Sequence, residues 1–485
     1  MRRAETANLQ GDSLAMIGKH MQKTVGYLLP ILLLFVFAQG GCIEGTAGPV
    51  KESPEEGLKR LDFREVVRKA KDKVFPAVVF IKCLKESHET GKKITQEVAG
   101  SGVIVTPEGR ALTNWHVVDK AVEIRCLLSD GRAMNAKVIG TDKDTDLALL
   151  QLELPADTKQ VPCAQIGDST VLKEGDFVMA MGAPWGLNRS VSIGIIACTR
   201  RYLPGNSEYS LWLQTDASIS PGNSGGPLVN TDGLVVGVTT LGVMYGGDMG
   251  FAIPSDTVKL IVSQLGEQGK ADWSWTGLQL QPLKDFNKNI YFEGDGGVIV
   301  AETDPESPAR RAGLVPRDRI LKIDNQCANA EREEDLPAVR RMLGMLPKGK
   351  EVEIELLRDG KTVVANVTPR RKGKVEGEEL DCPRWNMTVK TINQFDNPDL
   401  YFHRKEGVFV FGIKYPGNAS DCGLREQDVI DRIDDKEVKT LEDVKAIHAE
   451  AMKNIKTKYR VKISVLREGL LRQVVLDFSR DYEKE

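Results

Sequence analysis

Histidine is scarce in this chain: five occur in 485 residues, His20, His88, His116, His403 and His448. Any reaction that needs an imidazole base therefore has few places to find one. Charge of one sign is missing too. The formal net charge is −3, and the basic residues are spread along the chain, which leaves no electrostatic case for nucleic acid as a partner. No C-x-x-C pair with metal spacing occurs. With Cys42 set aside the cysteines are Cys83, Cys126, Cys163, Cys198, Cys327, Cys382 and Cys422, far apart and odd in number. Several sit in apolar runs such as "VEIRCLL" and "IIACTR" and read as small core hydrophobes. One or two disulfides stay open for an exported chain. No metal and no cofactor is expected.

Length of apolar run is also limited near the N-terminus. "VGYLLPILLLFVFA", Val25–Ala38, has fourteen residues, where crossing a bilayer needs about 20. Its basic flank (Lys19, His20, Lys23) and the small residues after it suit a secretory signal peptide over 1–42. "AQGGC" then leaves two endings open. Cys42 would carry a lipid and attach the protein to a membrane, or cleavage near Ala38 or Gly40 would free it. Either ending predicts export. Residues 43–60 mix Gly, Pro and charge without periodicity and read as a linker.

What the chain does contain is a long series of short β-type runs. The length allows about three domains. After a short amphipathic helix capped by Asp62, residues 61–270 carry "AVVFIKCL", "SGVIV", "VEIRCLL", "DLALLQLEL", "DFVMAMG", "SIGIIAC", "LWLQTD" and "LVVGVTTLG". Turn signals separate them, which predicts an all-β sandwich or barrel. "PSDTVKLIVSQLGEQG" reads as a closing helix. Downstream, the sequence repeats itself at an offset of 110. Ala309, Gly313, Leu314, Asp318, Ile320 and Asp324 return as Ala419, Gly423, Leu424, Asp428, Ile430 and Asp434. Two copies of about a hundred residues are homologous domains, since solenoid units are much shorter. They are placed at 271–371 and 383–485, with 372–382 as a linker.

The chemistry centres on "SPGNSGGP", Ser220–Pro227, which contains G-x-S-x-G. A serine hydroxyl needs a base within about 2.6–3.2 Å and a third group to orient that base. "ALTNWHVVD" puts His116 where a strand ends in a turn, and "TDKDTDLALL" puts Asp146 at the entrance to another strand. Each residue alone is more often a satisfied hydrogen-bonding group. Together, in the order His116, Asp146, Ser224, they argue for catalysis. An α/β-hydrolase elbow needs Ser first and a helix after it, but here a strand follows. The order is chymotrypsin-type. The N–H groups of Gly222 and Ser224 then form an oxyanion hole, with Asn223 completing the bend between them.

"GSGVIV", "TNWHVV", "DTDLALLQL", "MGAPWGL", "QTDASISPGNSGGPLVN" and "GFAIPSDTV" together resemble the HtrA (DegP-type) family of exported serine proteases. The likeness runs from about Phe63 to the C-terminus. It implies a mainly β fold: a chymotrypsin-like double β-barrel followed by two α+β PDZ domains. It implies an extracytoplasmic endoprotease, in a bacterial periplasm or cell envelope, that cleaves unfolded or misfolded proteins by an acyl-enzyme route. The helix and "VFPAVVFI" resemble that family's trimer-forming segment and imply a homotrimer. Ser218, where trypsin-like enzymes carry an acid, implies no strong Arg or Lys preference. PDZ folds take peptide C-termini by strand addition, which places the first peptide loop at Trp275, Thr276, Gly277 and Leu278. The second falls near "RWNMTV", where Asn386 and Met387 depart from the glycine pattern. The competing reading is a catalytically silent or resting chaperone or scaffold that binds peptides through these domains.

Overall fold

The structure is a computed structural model that describes residues 62–183, 189–243, 249–285, 287–294, 296–482 and 484. The export signal with His20 and Cys42, the linker 43–60 and the Pro184–Leu187 part of "MGAPWGL" lie outside the described residues. Two closed barrels of six strands follow one another in the chain. The first contains β1 (Val78–Ser87), β2 (Ile94–Ile104), β3 (Arg110–Thr113), β4 (Ala121–Leu127), β5 (Ala133–Asp142) and β6 (Leu147–Leu152). The second contains β7 (Phe177–Gly182), β8 (Ser190–Arg201), β9 (Trp212–Thr215), β10 (Pro227–Asn230), β11 (Val235–Val243) and β12 (Met249–Pro254). The first closes in the order β1-β2-β3-β6-β5-β4, and the second repeats that topology as β7-β8-β9-β12-β11-β10. Closure leaves neither sheet with a free edge.

The helices form where local chemistry supports them. α1 (Phe63–Val74) starts at Asp62, whose carboxylate accepts the Arg64 N–H at 3.0 Å. α2 is the single turn Trp115–Val118, placed directly after β3. α3 (Ser255–Gln268) buries Val258, Ile261 and Leu265, and ends at Gly269, whose φ of 72° only glycine adopts freely. Leu147, Leu149 and Leu150 of β6 are fully buried in the first barrel's core. Cys83 and Cys126 share that core, where burial pushes both thiols up to about 12. All seven described cysteines are free.

Beyond α3 the chain makes two sheets of like topology. The first runs Leu278–Gln281, Val298–Thr303, Arg319–Ile323, Val352–Arg358, Lys361–Val367, with helix Leu336–Gly344 beside it. The second runs Met387–Thr391, Val408–Ile413, Val429–Ile433, Arg460–Arg467, Leu470–Asp477, with helix Leu441–Lys453. A buried ion pair is duplicated with the fold. Arg358 Nε donates to Asp318 at 2.7 Å, and Arg467 Nε donates to Asp428 at 2.6 Å. The stretch read as a linker, 372–382, is not all connection. Glu379–Cys382 is a strand on the edge of the second sheet, because Leu380 and Cys382 alternate onto its core.

The repeats are held to the barrels by a charged seam. Lys372 pairs with Asp144 at 2.8 Å, Lys143 with Glu376 at 2.5 Å, and Lys120 with Glu379 at 2.6 Å. Trp273 stacks on Tyr209 with ring centroids 3.9 Å apart, and its Nε1 donates to Asp142 at 3.1 Å. Asp142 is buried there. Burial, with the like charge of Asp144 adding to it, pushes its carboxyl from 3.8 up to about 6. Below pH about 4 the group is neutral folded and unfolded alike. As pH rises towards about 6 the unfolded chain gives up a proton that the folded chain keeps. Stability therefore falls across this window, by an amount on the order of 3 kcal/mol. Urea midpoints measured at pH 4, 5 and 6 should decline in the wild type relative to Asp142→Asn, which removes the titration. Parallel profiles for the two proteins would count against this assignment.

Candidate active site

The three residues singled out by sequence lie where the two barrels meet. β3 ends at Thr113, and α2 turns His116 towards the hairpin between β5 and β6. Asp146 sits in that hairpin with φ 55°, a left-handed conformation that Asp tolerates. Two donors hold its carbonyl: the Trp115 N–H and Asn114 Nδ2, both at 3.1 Å. The Asp146 carboxylate takes the His116 backbone N–H at 3.0 Å and the ring Nδ1 at 3.0 and 2.8 Å. Its Oδ2 also accepts the Thr240 hydroxyl at 2.5 Å. A carboxylate at Nδ1 fixes the tautomer with the proton there, which leaves the Nε2 lone pair free to act as a base.

Ser224 comes from the second barrel, in the turn before β10. The Asn223 N–H donates to Ser220 O at 2.9 Å, closing a β-turn in which Gly222 has φ 96°. A positive φ at that place favours glycine. Among the described residues no acceptor meets the N–H of Gly222 or of Ser224, whereas that of Asn223 is spent inside the turn. Two unspent donors on one tight turn can together accept a developing negative charge.

Ser224 Oγ points elsewhere than to the histidine. It donates to the carbonyl of Thr240 at 2.8 Å, and no hydrogen bond joins it to His116. Ser224 and the His116–Asp146 pair thus lie on one seam, with no hydrogen bond between the serine hydroxyl and the imidazole.

Two residues that sequence reasoning missed organise this seam. Ser101 of β2 donates its N–H to Ser224 O at 2.8 Å and its hydroxyl to Gly222 O at 2.6 Å. The same hydroxyl accepts the Ala183 N–H at 2.9 Å. Thr240 serves both sides, through its hydroxyl to Asp146 and its carbonyl to Ser224. Their signals were faint: a serine between two glycines in "AGSGV", and a threonine in a strand noted only for following Ser224. Ser218 is exposed, and its carbonyl accepts the Ser192 hydroxyl at 2.7 Å.

The residues predicted for peptide capture lie apart from this centre. Trp275 and Thr276 are buried, and Gly277 turns the chain with φ 73°. A Cβ at Gly277 would stand 2.2 Å from that of Ser307, so glycine is required. Leu278 begins an edge strand beside helix Leu336–Gly344. A cavity of about 530 Å³ opens there, lined by Thr276, Leu278, Arg340 and Leu343, with Phe395 and Tyr401 of the second repeat across it.

Comparison with known proteins agrees with this architecture. A family model described as a trypsin-like peptidase domain matches residues 100–238, and one described as a PDZ domain matches residues 276–368. A probable periplasmic serine endoprotease DegP-like of Pseudomonas savastanoi pv. phaseolicola is 35% identical over 381 residues, 76% of each chain. Its namesake in Halomonas elongata is 34% identical over 361 residues, 72% of this chain and 73% of the relative. Among solved structures, the HtrA-type protease AlgW with tripeptide is 32% identical with a TM-score of 0.56. It covers 63% of this chain and 97% of its own. A double-barrel frame, the serine turn across its seam and relatives of this identity lead to one assignment: the chain belongs to the HtrA family of DegP-like serine endoproteases.

Proposed function

We propose that this serine endoprotease is exported and cleaves unfolded or misfolded proteins through an acyl-enzyme, with Ser224 as nucleophile, His116 as base and Asp146 as its orienting acid. The observation that carries the reading is the two-oxygen contact of Asp146 with His116 Nδ1, across the barrel seam from Ser224. For reaction, Ser224 Oγ leaves the Thr240 carbonyl and turns to His116 Nε2. As Oγ bonds to the substrate carbonyl carbon, its proton passes to Nε2. The carbonyl oxygen becomes an oxyanion, taken up by the N–H groups of Gly222 and Ser224. Asn223 holds the turn between them. Collapse breaks the C–N bond, and the leaving amine takes the proton from Nε2. Water then attacks the ester with His116 again as base. Asp146 stays ionised throughout and stabilises the imidazolium.

The hydrogen bond from Ser224 Oγ to Thr240 supports a second element of the proposal, that the enzyme rests in a silent state and needs substrate or an effector to turn the hydroxyl. In that state it would act as the peptide-binding scaffold of the competing reading. Peptide C-termini are proposed to dock at Trp275, Thr276, Gly277 and Leu278, along the free edge of Leu278–Gln281. The periplasmic naming of the relatives supports the same compartment for this chain. A lipid on Cys42 would tie it to a membrane there. The apolar end of α1, where Phe63 lies 4.6 Å from the Phe177 ring and stays 41% exposed, suits a homotrimer contact.

Casein cleavage by the mature protein should vanish in Ser224→Ala and fall ~10⁴-fold in Asp146→Asn. Equal cleavage by wild type and Ser224→Ala would end the proposal. Ser101→Ala removes the clamp on the Gly222 carbonyl and leaves the Ala183 N–H unpaired. It should lower kcat ~10–10²-fold with KM little changed, since the loss falls on the oxyanion turn. A rise in KM alone would place Ser101 in substrate binding. For the anchor, Cys42→Ser should move the protein from the membrane to the soluble fraction, and unchanged fractionation would exclude lipidation there.

A further inference from the structure

The second repeat carries the same loop as the first, but its edge is already taken. Equivalent hydrogen bonds fix the correspondence. The Ala309 N–H donates to Thr276 O and the Ala419 N–H to Trp385 O, both at 3.0 Å. The Asp304 N–H donates to Gly277 O at 2.8 Å, and the Lys414 N–H to Asn386 O at 3.0 Å. Trp385 therefore stands for Thr276, and Asn386 for Gly277. Both turning residues are left-handed, with φ 73° at Gly277 and 57° at Asn386. The close contact beneath them is also kept, with its glycine moved across. In the first repeat Gly277 faces Ser307. In the second Asn386 faces Gly417, where a Cβ would stand 2.8 Å from that of Asn386. The departure at Asn386 thus leaves the loop's backbone intact.

What differs is the neighbouring strand. Glu379–Cys382 pairs antiparallel with Met387–Thr391, matching Glu379 with Lys390, Leu380 with Val389, Asp381 with Thr388 and Cys382 with Met387. A strand antiparallel to the one leaving the loop has its C-terminal end at the loop, which is how an added peptide would run. In the first repeat the equivalent edge, Leu278–Gln281, pairs with Val298–Thr303 alone and faces the cavity. There the chain reaches the loop from the end of α3, held by the bridge of Lys270 to Thr141, and its residues Ser274–Trp275 pair with Arg371 and Arg370 and not with Leu278–Gln281. The second loop is reached through 372–382, which folds back as Glu379–Cys382.

The insertion is half-buried along its length, fully so at Cys382, and closed over. Cys382 is fully buried among Trp385, Met387 and Val389, and Leu380 packs on the same cluster. Helix Leu441–Lys453 closes the far side, where His448 Nε2 donates to Pro383 O at 2.7 Å and the imidazole meets Trp385 edge-on at 4.9 Å. The strand's outer end is tied by Glu379, whose carboxylate meets Lys120 at 2.6 Å and Lys390 at 3.1 Å.

We propose that Glu379–Cys382 is a tethered internal ligand filling the strand-addition groove of the second repeat, which leaves the first repeat as the groove for peptides from outside. This rests on the reading of the repeats as peptide readers. The test uses the full mature chain with Ser224→Ala to prevent self-cleavage. Gly277→Val is added to close the first loop. The probe is a fluorescein-labelled peptide of sequence KVEGEELDC, residues 374–382, with a free C-terminal carboxylate. Anisotropy should show at least ~10-fold tighter binding when Leu380→Asp and Cys382→Asp expel the internal strand than when it is intact. Equal binding with the strand in place overturns the proposal. Should the emptied variant fold, by circular dichroism, and bind no probe, the peptide-reader reading falls and takes the proposal with it. Should it not fold, hydrogen exchange on the chain with its strand intact decides. Amides of 380–382 should exchange ~10²-fold slower than those of 373–378 and stay so with probe in excess. Fast exchange, or loss of protection on adding probe, overturns internal occupancy while leaving the first groove untouched.

Discussion

The active seam depends on how closely the serine turn can approach the first barrel. Gly225 makes that approach possible. A Cβ there would lie 2.2 Å from Ser101 O and 2.3 Å from the Thr113 hydroxyl, and its φ of 86° is itself a glycine conformation. Because the backbone fits so closely, Ser101 can reach both the Ser224 and the Gly222 carbonyls from β2. The Gly222 and Ser224 carbonyls face the first barrel, that of Asn223 accepts the Thr239 hydroxyl at 2.7 Å, and the N–H groups of Gly222 and Ser224 are left unspent among the described residues. From the other direction Thr240 of β11 crosses back to Asp146. The barrels are thus joined by hydrogen bonds that also orient the proposed catalytic groups, so a shift of one barrel against the other would be felt at once in the geometry of the turn.

The fold was legible where apolar runs are dense. Each of the eight runs read as strands overlaps a strand of the two barrels, though most run past its observed ends. Arg110–Thr113 was legible only as the strand that ends before His116. Three barrel strands were missed, each for a physical reason. Pro227–Asn230 is four residues long, too short to show a period. Ala133–Asp142 hides its alternation behind Lys137 and Asn135 on the open face. Met249–Pro254 is buried on both faces except at its start, so it does not alternate. The site was legible as residue types in a chain order, because one histidine and one aspartate sit at strand ends before a glycine-flanked serine. The hydroxyl's direction could not be read, since its acceptor, the Thr240 carbonyl, is brought to Ser224 only when the strand Val235–Val243 packs beside the turn. Ser101 and Thr240 were invisible because their roles arise only when distant strands meet.

The repeats reach the same seam through charge. The short turn that positions Asp146 also carries Asp142, Lys143 and Asp144, and each of these three has a partner downstream: Trp273, Glu376 and Lys372 respectively. Lys372 is itself largely covered between Asp144 and the Tyr209 ring, whose centroid is 5.1 Å from the ammonium. Buried pairs of this kind are costly to break singly, because the partner left behind is an uncompensated charge. The chain entering the second repeat is therefore bound along the hairpin that holds the proposed acid, and Lys120, just past α2, continues the contact to Glu379.

Glu379 then has two environments to satisfy. Its side chain is 6% exposed and shares Lys390 with Asp396, so moving the strand would strand a buried ammonium as well as a carboxylate. Burial alone would depress the Lys390 ammonium, but Asp396 and Glu379 together hold it above its ordinary range. This makes the internal strand a poor candidate for casual displacement by a weakly bound peptide, whose backbone hydrogen bonds would replace those lost but not the two ion pairs. The asymmetry between the repeats follows from how the chain arrives at each. A helix end fixes the approach to the first loop and leaves its groove empty. A charged connector folds back into the second, and the charges that make it look like a linker in sequence are the ones that hold it in place.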